Sequence, residues 1–365
     1  VGGGVLTRAD AVAAELTELL GTLVDAATIV TGRAALLGLH PRGRISAGGA
    51  TRLMPTLDGW WALTLSRADD IAAVPALIEA DTVPEDPWPA IEQWAARRSS
   101  GDVVARAILL DLPAARLGET TAAPPRVTQT GARSAPRAAA GLLVADLSSM
   151  WAGPLCGQIL AAAGATVIKV ESPGRPDGTR AGDRSFYDWI NHGKLSYAVD
   201  FDAAGDRVRA LVNAADVVIE GSRAGVLARR GVSPESLSGP DGRVWLRITG
   251  HGPESQRAAF GDDAAVAGGL VGSSPSGPVF CGDAIADPLT GLESALAVTH
   301  SLGRGGGETV EVAMAAVAAT YAALPATPSQ SPTLVAPPRC AAAAELGTDN
   351  AAVDALVAQR KSVPC

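Results

Sequence analysis

Apolar positions along the chain repeat with two different periods. From Leu142 to Leu147 an apolar run is broken only by Asp146; Gly153-Pro154 then opens an Ala-rich stretch to about Ala163, and Thr166 to Val170 is apolar again. Short continuous runs between turn residues read as buried strands, and a proline in the first turn marks a helix start. The stretch predicts strand, helix, strand: a βαβ unit that opens a large domain. Farther on, Leu292, Ala295, Leu296, Val298, Thr299 and Leu302 recur at the spacing of one buried helical face. Just before that helix, Pro278-Val-Phe-Cys-Gly-Asp-Ala-Ile-Ala-Asp287-Pro-Leu-Thr-Gly291 sets a carboxylate among small residues. Asp287 is then either a plain helix cap at the positive end of the dipole or a nucleophile.

The same pattern divides the chain. Residues 1–38 read as a helical segment. Residues 39–120 hold the glycine-rich Pro41-Arg-Gly-Arg-Ile-Ser-Ala-Gly-Gly-Ala50, a strand in Asp58-Gly-Trp-Trp-Ala-Leu-Thr-Leu65 and a charged helical stretch around Trp94-Ala-Ala-Arg-Arg98, which together suggest a small α+β domain. Residues 121–140, rich in Ala, Pro, Thr and Arg, read as an extended, poorly packed linker. Residues 141–324 form the large domain, and 325–365 a proline-rich connector with a closing helix from Ala351 to Arg360. The expected fold class is α/β: a Rossmann-like domain around a parallel sheet, with the smaller α+β domain beside it.

Several motifs then occur in a telling order. Ala152-Gly-Pro154, Val167-Ile-Lys-Val-Glu171, Gly178-Thr-Arg180, Asn191-His-Gly-Lys-Leu-Ser196, Leu227-Ala-Arg-Arg-Gly231, Ile248-Thr-Gly-His-Gly252 and Ala286-Asp287 follow one another between residues 141 and 313. In that order they resemble the class III CoA-transferase family, which includes formyl-CoA and crotonobetainyl-CoA transferases and α-methylacyl-CoA racemase. Leu195 departs from the pattern, since a basic residue is usual there.

The resemblance implies an acyl-CoA:carboxylate CoA-transferase in which Asp287 attacks a thioester, forming an aspartyl anhydride and then an aspartyl-CoA thioester. It implies coenzyme A as the acyl carrier, and an acyl-CoA donor and a carboxylic acid acceptor as partners. It also implies a homodimer with the two chains threaded through each other. Arg229, Lys194, Arg180, Asn191 and Glu171 become candidates for contacting CoA, with Arg223 a further cation, because phosphates are held by Arg, Lys and backbone N–H groups. Gly48 and Gly49 stand where a mobile glycine loop would supply oxyanion donors. In Phe260-Gly-Asp-Asp-Ala264, Asp262 replaces the histidine of the racemase branch. That substitution favours transferase over racemase, and leaves Asp263 to orient the site or cap the following helix, expected from about Ala264 to Leu270. A CoA-binding relative without turnover is the remaining alternative.

Segment order departs from the family. A small domain of this kind usually follows the large one, and here it precedes it. Either the chain is circularly permuted, or the end of one copy is joined to the beginning of another; Leu346-Gly-Thr-Asp-Asn350 and the helix after it resemble a closing segment and favour permutation.

Composition narrows the alternatives. Of 365 residues, 47% are hydrophobic and 19% charged, enough to bury a sizeable core over about two domains. A formal charge of −8 argues against a general nucleic-acid surface. No run suggests a membrane span, and Val1-Gly-Gly-Gly4 lacks the basic start of a signal peptide, so a cytoplasmic location is expected. Cys156, Cys281, Cys340 and Cys365 are scattered and read as free thiols. His251, in its glycine-flanked turn, is expected to satisfy local hydrogen bonds. No metal-ligand spacing occurs, and Met150-Trp-Ala-Gly-Pro-Leu155 lacks the glycine fingerprint of a dinucleotide site.

Overall fold

The computed structural model describes residues 3–82, 84–325 and 333–362. Its elements, in chain order, are α1 (Gly3–Leu20), α2 (Ala26–Leu37), β1 (Thr51–Pro55), β2 (Trp60–Thr64), α3 (Ala68–Ala72), α4 (Val74–Ile78), α5 (Trp88–Ala95), α6 (Ser100–Leu109), β3 (Ala114–Arg116) and β4 (Arg126–Gln129). The large domain continues with β5 (Leu143–Leu147), α7 (Ala152–Ala162), β6 (Thr166–Glu171), α8 (Arg184–Asn191), β7 (Leu195–Ala198), α9 (Gly205–Ala214), β8 (Val217–Glu220), β9 (Val244–Thr249) and α10 (Gly261–Ala267). It closes with β10 (Gly272–Ser274), β11 (Gly277–Val279), α11 (Ala286–Gly303), β12 (Glu308–Ala313), α12 (Met314–Ala322) and α13 (Asn350–Ser362).

The main sheet runs β4-β12-β9-β8-β5-β6-β7. Every pair within it is parallel except β12 with β4. Read from β7, the parallel strands follow the doubly wound order of a Rossmann fold, with the chain reversing direction between β5 and β8. Both faces are covered, which is why these strands read as continuous apolar runs. Val144, Val167, Val217 and Leu246 face a core shared with α1, α2, α7, α8, α11 and α12, whereas Leu143, Ala145, Ile168 and Trp245 face α9 and α13.

Residues 39–120 form an antiparallel β1-β2-β3 sheet backed by α5 and α6, around Trp61, Leu63, Ile91 and Trp94. Asp58 of the Asp-Gly-Trp turn accepts the Ser100 N–H at 2.7 Å and so ties the hairpin to the start of α6. The other face of this sheet lies on α10, through Leu53 and Ala62 against Val266 and Phe280. The expected Rossmann-like parallel sheet and the smaller α+β unit are both present.

Three segments are more integrated than their sequence suggests. Helices α1 and α2 are part of the large domain's core, burying Val5, Val12, Leu16 and Ile29 against α11 and its neighbours. The stretch expected to be a loosely packed linker pairs as β4 with Glu308–Glu311 at the sheet edge, although all four of its side chains are exposed. Backbone pairing with β12 suffices there, without any apolar face. At the other end, α13 packs on α9 and β7, burying Val353 and Val357. Of the proline-rich connector, residues 326–332 lie outside the described residues. No helix among the described residues is long and apolar enough to cross a membrane.

Candidate active site

Asp287 lies in the first turn of α11, two residues past the cap position, which Ile285 occupies. The Asp287 N–H bonds Ala284 O at 2.9 Å, and Ala284 holds a positive φ of 40°, a strained turn for a residue with a Cβ. One turn on, Gly291 lets α11 meet α7: a Cβ there would stand 2.7 Å from Leu155 and 2.8 Å from Ala152 O. The small residues of the Asp287–Gly291 motif thus fix the helix start against the βαβ unit.

Helix α10 brings a pair of further carboxylates. Its first residue, Gly261, lies against Asp287: a Cβ at Gly261 would stand 2.3 Å from Asp287 Oδ2. Asp262 accepts the Ala284 N–H at 3.1 Å and the Thr51 hydroxyl at 3.2 Å, with Ser46 as a further donor. Asp263 is fully buried: Oδ1 accepts Phe260 N–H at 2.9 Å and the Thr64 hydroxyl at 3.0 Å, and Oδ2 has no partner. It caps α10, which starts three residues earlier than its apolar pattern suggests.

A fourth carboxylate and a cation complete the cluster. Arg33 of α2 pairs with Asp283 at 2.6 Å and lies over the rings of Trp151 and Phe186, at 5.6 and 5.3 Å. Arg33 escaped the sequence reading. Its one signal is that no other charged residue occurs in Ala26–Leu37.

The charges shift one another in a definable way. Burial raises Asp287 to about 7; Arg33 opposes the rise, and Asp262 and Asp283 add to it. Burial, then Asp283, raises Asp262 to about 6, and burial raises Asp263 to about 7. A carboxylate raised in the folded state favours folding at low pH, and that contribution is lost as pH rises from the unfolded value to the folded one. Asp263→Asn should therefore raise the melting temperature at pH 8 and change it little at pH 4, as thermal unfolding at the two values will test. Equal shifts at both would contradict the burial of an ionised Asp263.

The glycine turn meets this cluster. Gly48 and Gly49 lie between Ser46 and Thr51, both of which bond Asp262. The Gly49 N–H is taken by Ser46 O at 2.9 Å, and a Cβ at Gly48 would meet nothing within 4 Å.

The remaining candidates lie elsewhere. Glu171, Arg180, Asn191 and Lys194 belong to a buried polar network around β6 and α7. Lys194 Nζ donates to Asp146 at 3.0 Å, Pro154 O at 2.7 Å and Asn191 at 3.1 Å. Arg180 pairs with both oxygens of Glu171, at 2.9 and 2.7 Å, and stacks on Tyr187. A CoA phosphate would have to displace these partners. Arg223 is likewise engaged, by Asp111 at 2.6 and 2.8 Å. Arg229 is exposed and pairs with no carboxylate among the described residues. His251, expected to satisfy local hydrogen bonds, has both ring nitrogens buried without a partner; burial, then Arg257, lowers it to about 3.

Comparison with known proteins gives this arrangement a family. The family model for CoA-transferase family III matches residues 140–342, more than half of the chain. The chain belongs to CoA-transferase family III. It is similar to a succinate–glutarate CoA-transferase of Agrobacterium fabrum, 34% identical over 48% of this chain and 50% of that protein. A formyl-CoA:oxalate CoA-transferase of Afipia carboxidovorans is 33% identical, over 48% of this chain and 46% of that one. Among solved structures, a CaiB/BaiF family protein from Brucella suis covers 52% of this chain and 56% of its own, with a TM-score of 0.47 and 32% identity. The chain spans about half the length of the curated relatives it matches. In this member of family III, the matched region carries Asp262, Asp263, Asp283 and Asp287, whereas Arg33 and the Ser46–Thr51 turn come from residues before it.

Proposed function

We propose that this chain transfers coenzyme A between an acyl-CoA and a carboxylic acid, with Asp287 as the nucleophile. The observation that carries this reading is the Asp287 carboxylate, placed in the first turn of α11 beside Gly261 and within a cluster of like charges. The family's curated members, named as CoA-transferases, support the reaction class.

In the first step an Asp287 oxygen attacks the thioester carbonyl and CoA leaves as thiolate, giving an acyl-aspartyl anhydride. The thiolate then attacks the aspartyl carbonyl of that anhydride, releasing the donor acid and leaving an Asp287–CoA thioester. The same steps in reverse load the acceptor acid. Charge is conserved at every step, since one anion enters as another leaves. A partly desolvated carboxylate is the stronger nucleophile, and Gly261, with no Cβ, lets the α10 backbone come close to it. Gly48 in its open turn is the proposed oxyanion donor, and Arg229 the proposed phosphate ligand.

Asp287 reacts only when ionised, so the rate should rise as pH passes through about 7. Asp262→Asn removes a like charge and should move that limb to lower pH, readable in kcat/KM against pH. An unmoved limb would contradict their coupling. A second reading has one observation in its favour: Asp262 and Asp287 are both raised and near enough for the charge of Asp262 to raise Asp287, and a two-base exchange at the carbon beside a thioester requires two such bases. Deuterium from solvent would enter the acyl-CoA without any free acid present. Under the transferase reading, labelled acid exchanges into acyl-CoA and no deuterium is incorporated.

A further inference from the structure

We infer that Arg33 receives the carboxylate of the acid that exchanges with the Asp287–CoA thioester; this rests on the transferase reading above. Arg33 makes one hydrogen bond, from Nη1 to Asp283 Oδ1 at 2.6 Å. Its Nε and Nη2 have no hydrogen-bond partner among the described residues, and its side chain remains 24% exposed. The guanidinium lies against the rings of Trp151 and Phe186, both buried. Two adjacent donors of a fixed planar fork are thus left without a protein partner on a side chain that solvent still reaches, and such a fork can take a carboxylate by two parallel bonds.

The reaction itself creates the vacancy. Before transfer, Arg33 stabilises the charge of Asp287, together with its direct partner Asp283. Once Asp287 is a thioester that charge is gone, and the cluster has lost one anion near Arg33. The incoming acid restores it. One acid oxygen then attacks the Asp287 thioester carbonyl, the CoA thiolate leaves, and the mixed anhydride forms; thiolate attack on the acid's own carbonyl next returns Asp287 as carboxylate and gives the new acyl-CoA. Arg33 contacts the acid before attack and again when a donor acid departs. Asp283 sets the guanidinium plane, and its buried Oδ2, which has no partner, leaves Arg33 bound to it through a single oxygen.

The test isolates discharge of the intermediate. Wild-type protein, Arg33→Lys and Arg33→Gln are loaded with acetyl-CoA or succinyl-CoA, and the enzyme–CoA adduct is discharged with the matching carbon-13-labelled acetate or succinate while intact mass is followed. Arg33→Gln should still form the adduct, and the acid concentration for half-maximal discharge should rise at least about tenfold, with a smaller rise in Arg33→Lys, which keeps charge and loses the fork. An unchanged half-saturating concentration in Arg33→Gln, with only the maximal rate or the melting temperature reduced, would overturn the inference and leave Arg33 as a support for Asp283. Absence of the adduct in wild-type protein would instead overturn the transferase reading, and this inference with it.

Discussion

Asp287→Ala should lower acyl transfer by at least about 10⁴-fold while leaving CoA affinity within about threefold. The expectation follows from the difference between a group that forms bonds and groups that hold a ligand. Without the carboxylate there is no anhydride and no protein thioester, and neighbouring carboxylates are poorly placed to substitute: Asp262 is held by Ala284 N–H and Thr51, and Asp283 by Arg33. A loss of that size corresponds to about 5.5 kcal/mol of transition-state stabilisation. CoA affinity should survive because the proposed phosphate contact, Arg229, is on a separate turn. Removing Asp287 also relieves like-charge repulsion, so the variant should fold at least as well as the parent. Activity within tenfold of wild type would show that Asp287 is not the nucleophile.

Lys169→Met should cost about 3–5 kcal/mol of stability, the largest effect expected of any single change outside the site. Lys169 is 1% exposed, and its ammonium donates to Asp177 at 2.7 Å and to Ser148 O at 2.5 Å. Burial opposes its charge, but Asp177, Asp146 and Glu171 outweigh burial and hold it above the usual lysine range. Methionine fills a similar volume, so the loss is electrostatic: Asp177 and Asp146 remain in the interior with one cation fewer. Asp177 also accepts the Met150 N–H, at 3.1 Å to Oδ2, and thereby fixes the loop that presents Trp151 beneath Arg33. Urea unfolding monitored by far-UV circular dichroism will measure the effect. A change below about 0.5 kcal/mol would mean that water or rearrangement compensates these carboxylates.

The sequence made some features readable because a local pattern determined them. Strand β5, helix α7 and strand β6 follow from continuous apolar runs around a Gly-Pro start, and they fall within a residue or two of their expected ends. Asp287 could be placed beside α11 because small residues surround it. Helix α10 began earlier than its apolar residues suggested, since its first turn is spent on Gly261, Asp262 and Asp263, whose packing answers to Asp287 and β2 rather than to periodicity. Strand β4 was hidden for the opposite reason: Arg126–Gln129 buries no side chain and is a strand only because β12 pairs with it.

Motif order found a polar cluster without revealing its burial. Glu171, Arg180, Asn191 and Lys194 stand in matching motifs, yet the partners that occupy them, Asp146 and Tyr187 among them, are identified only once the sheet is assembled. Arg33 is the clearest case. It lies 250 positions from Asp283, and nothing local in α2 says which carboxylate it meets.

The most direct test of the account is to incubate the protein with a panel of acyl-CoAs, treat it with hydroxylamine, and map the modified peptide by mass spectrometry. Hydroxylamine converts an aspartyl thioester or anhydride to a hydroxamate at the residue that carried it. The expected result is a hydroxamate at Asp287, formed only when acyl-CoA is present. A folded protein that yields no adduct with any acyl-CoA, or one that maps to Asp262 or Asp283 instead, would contradict Asp287 as the nucleophile.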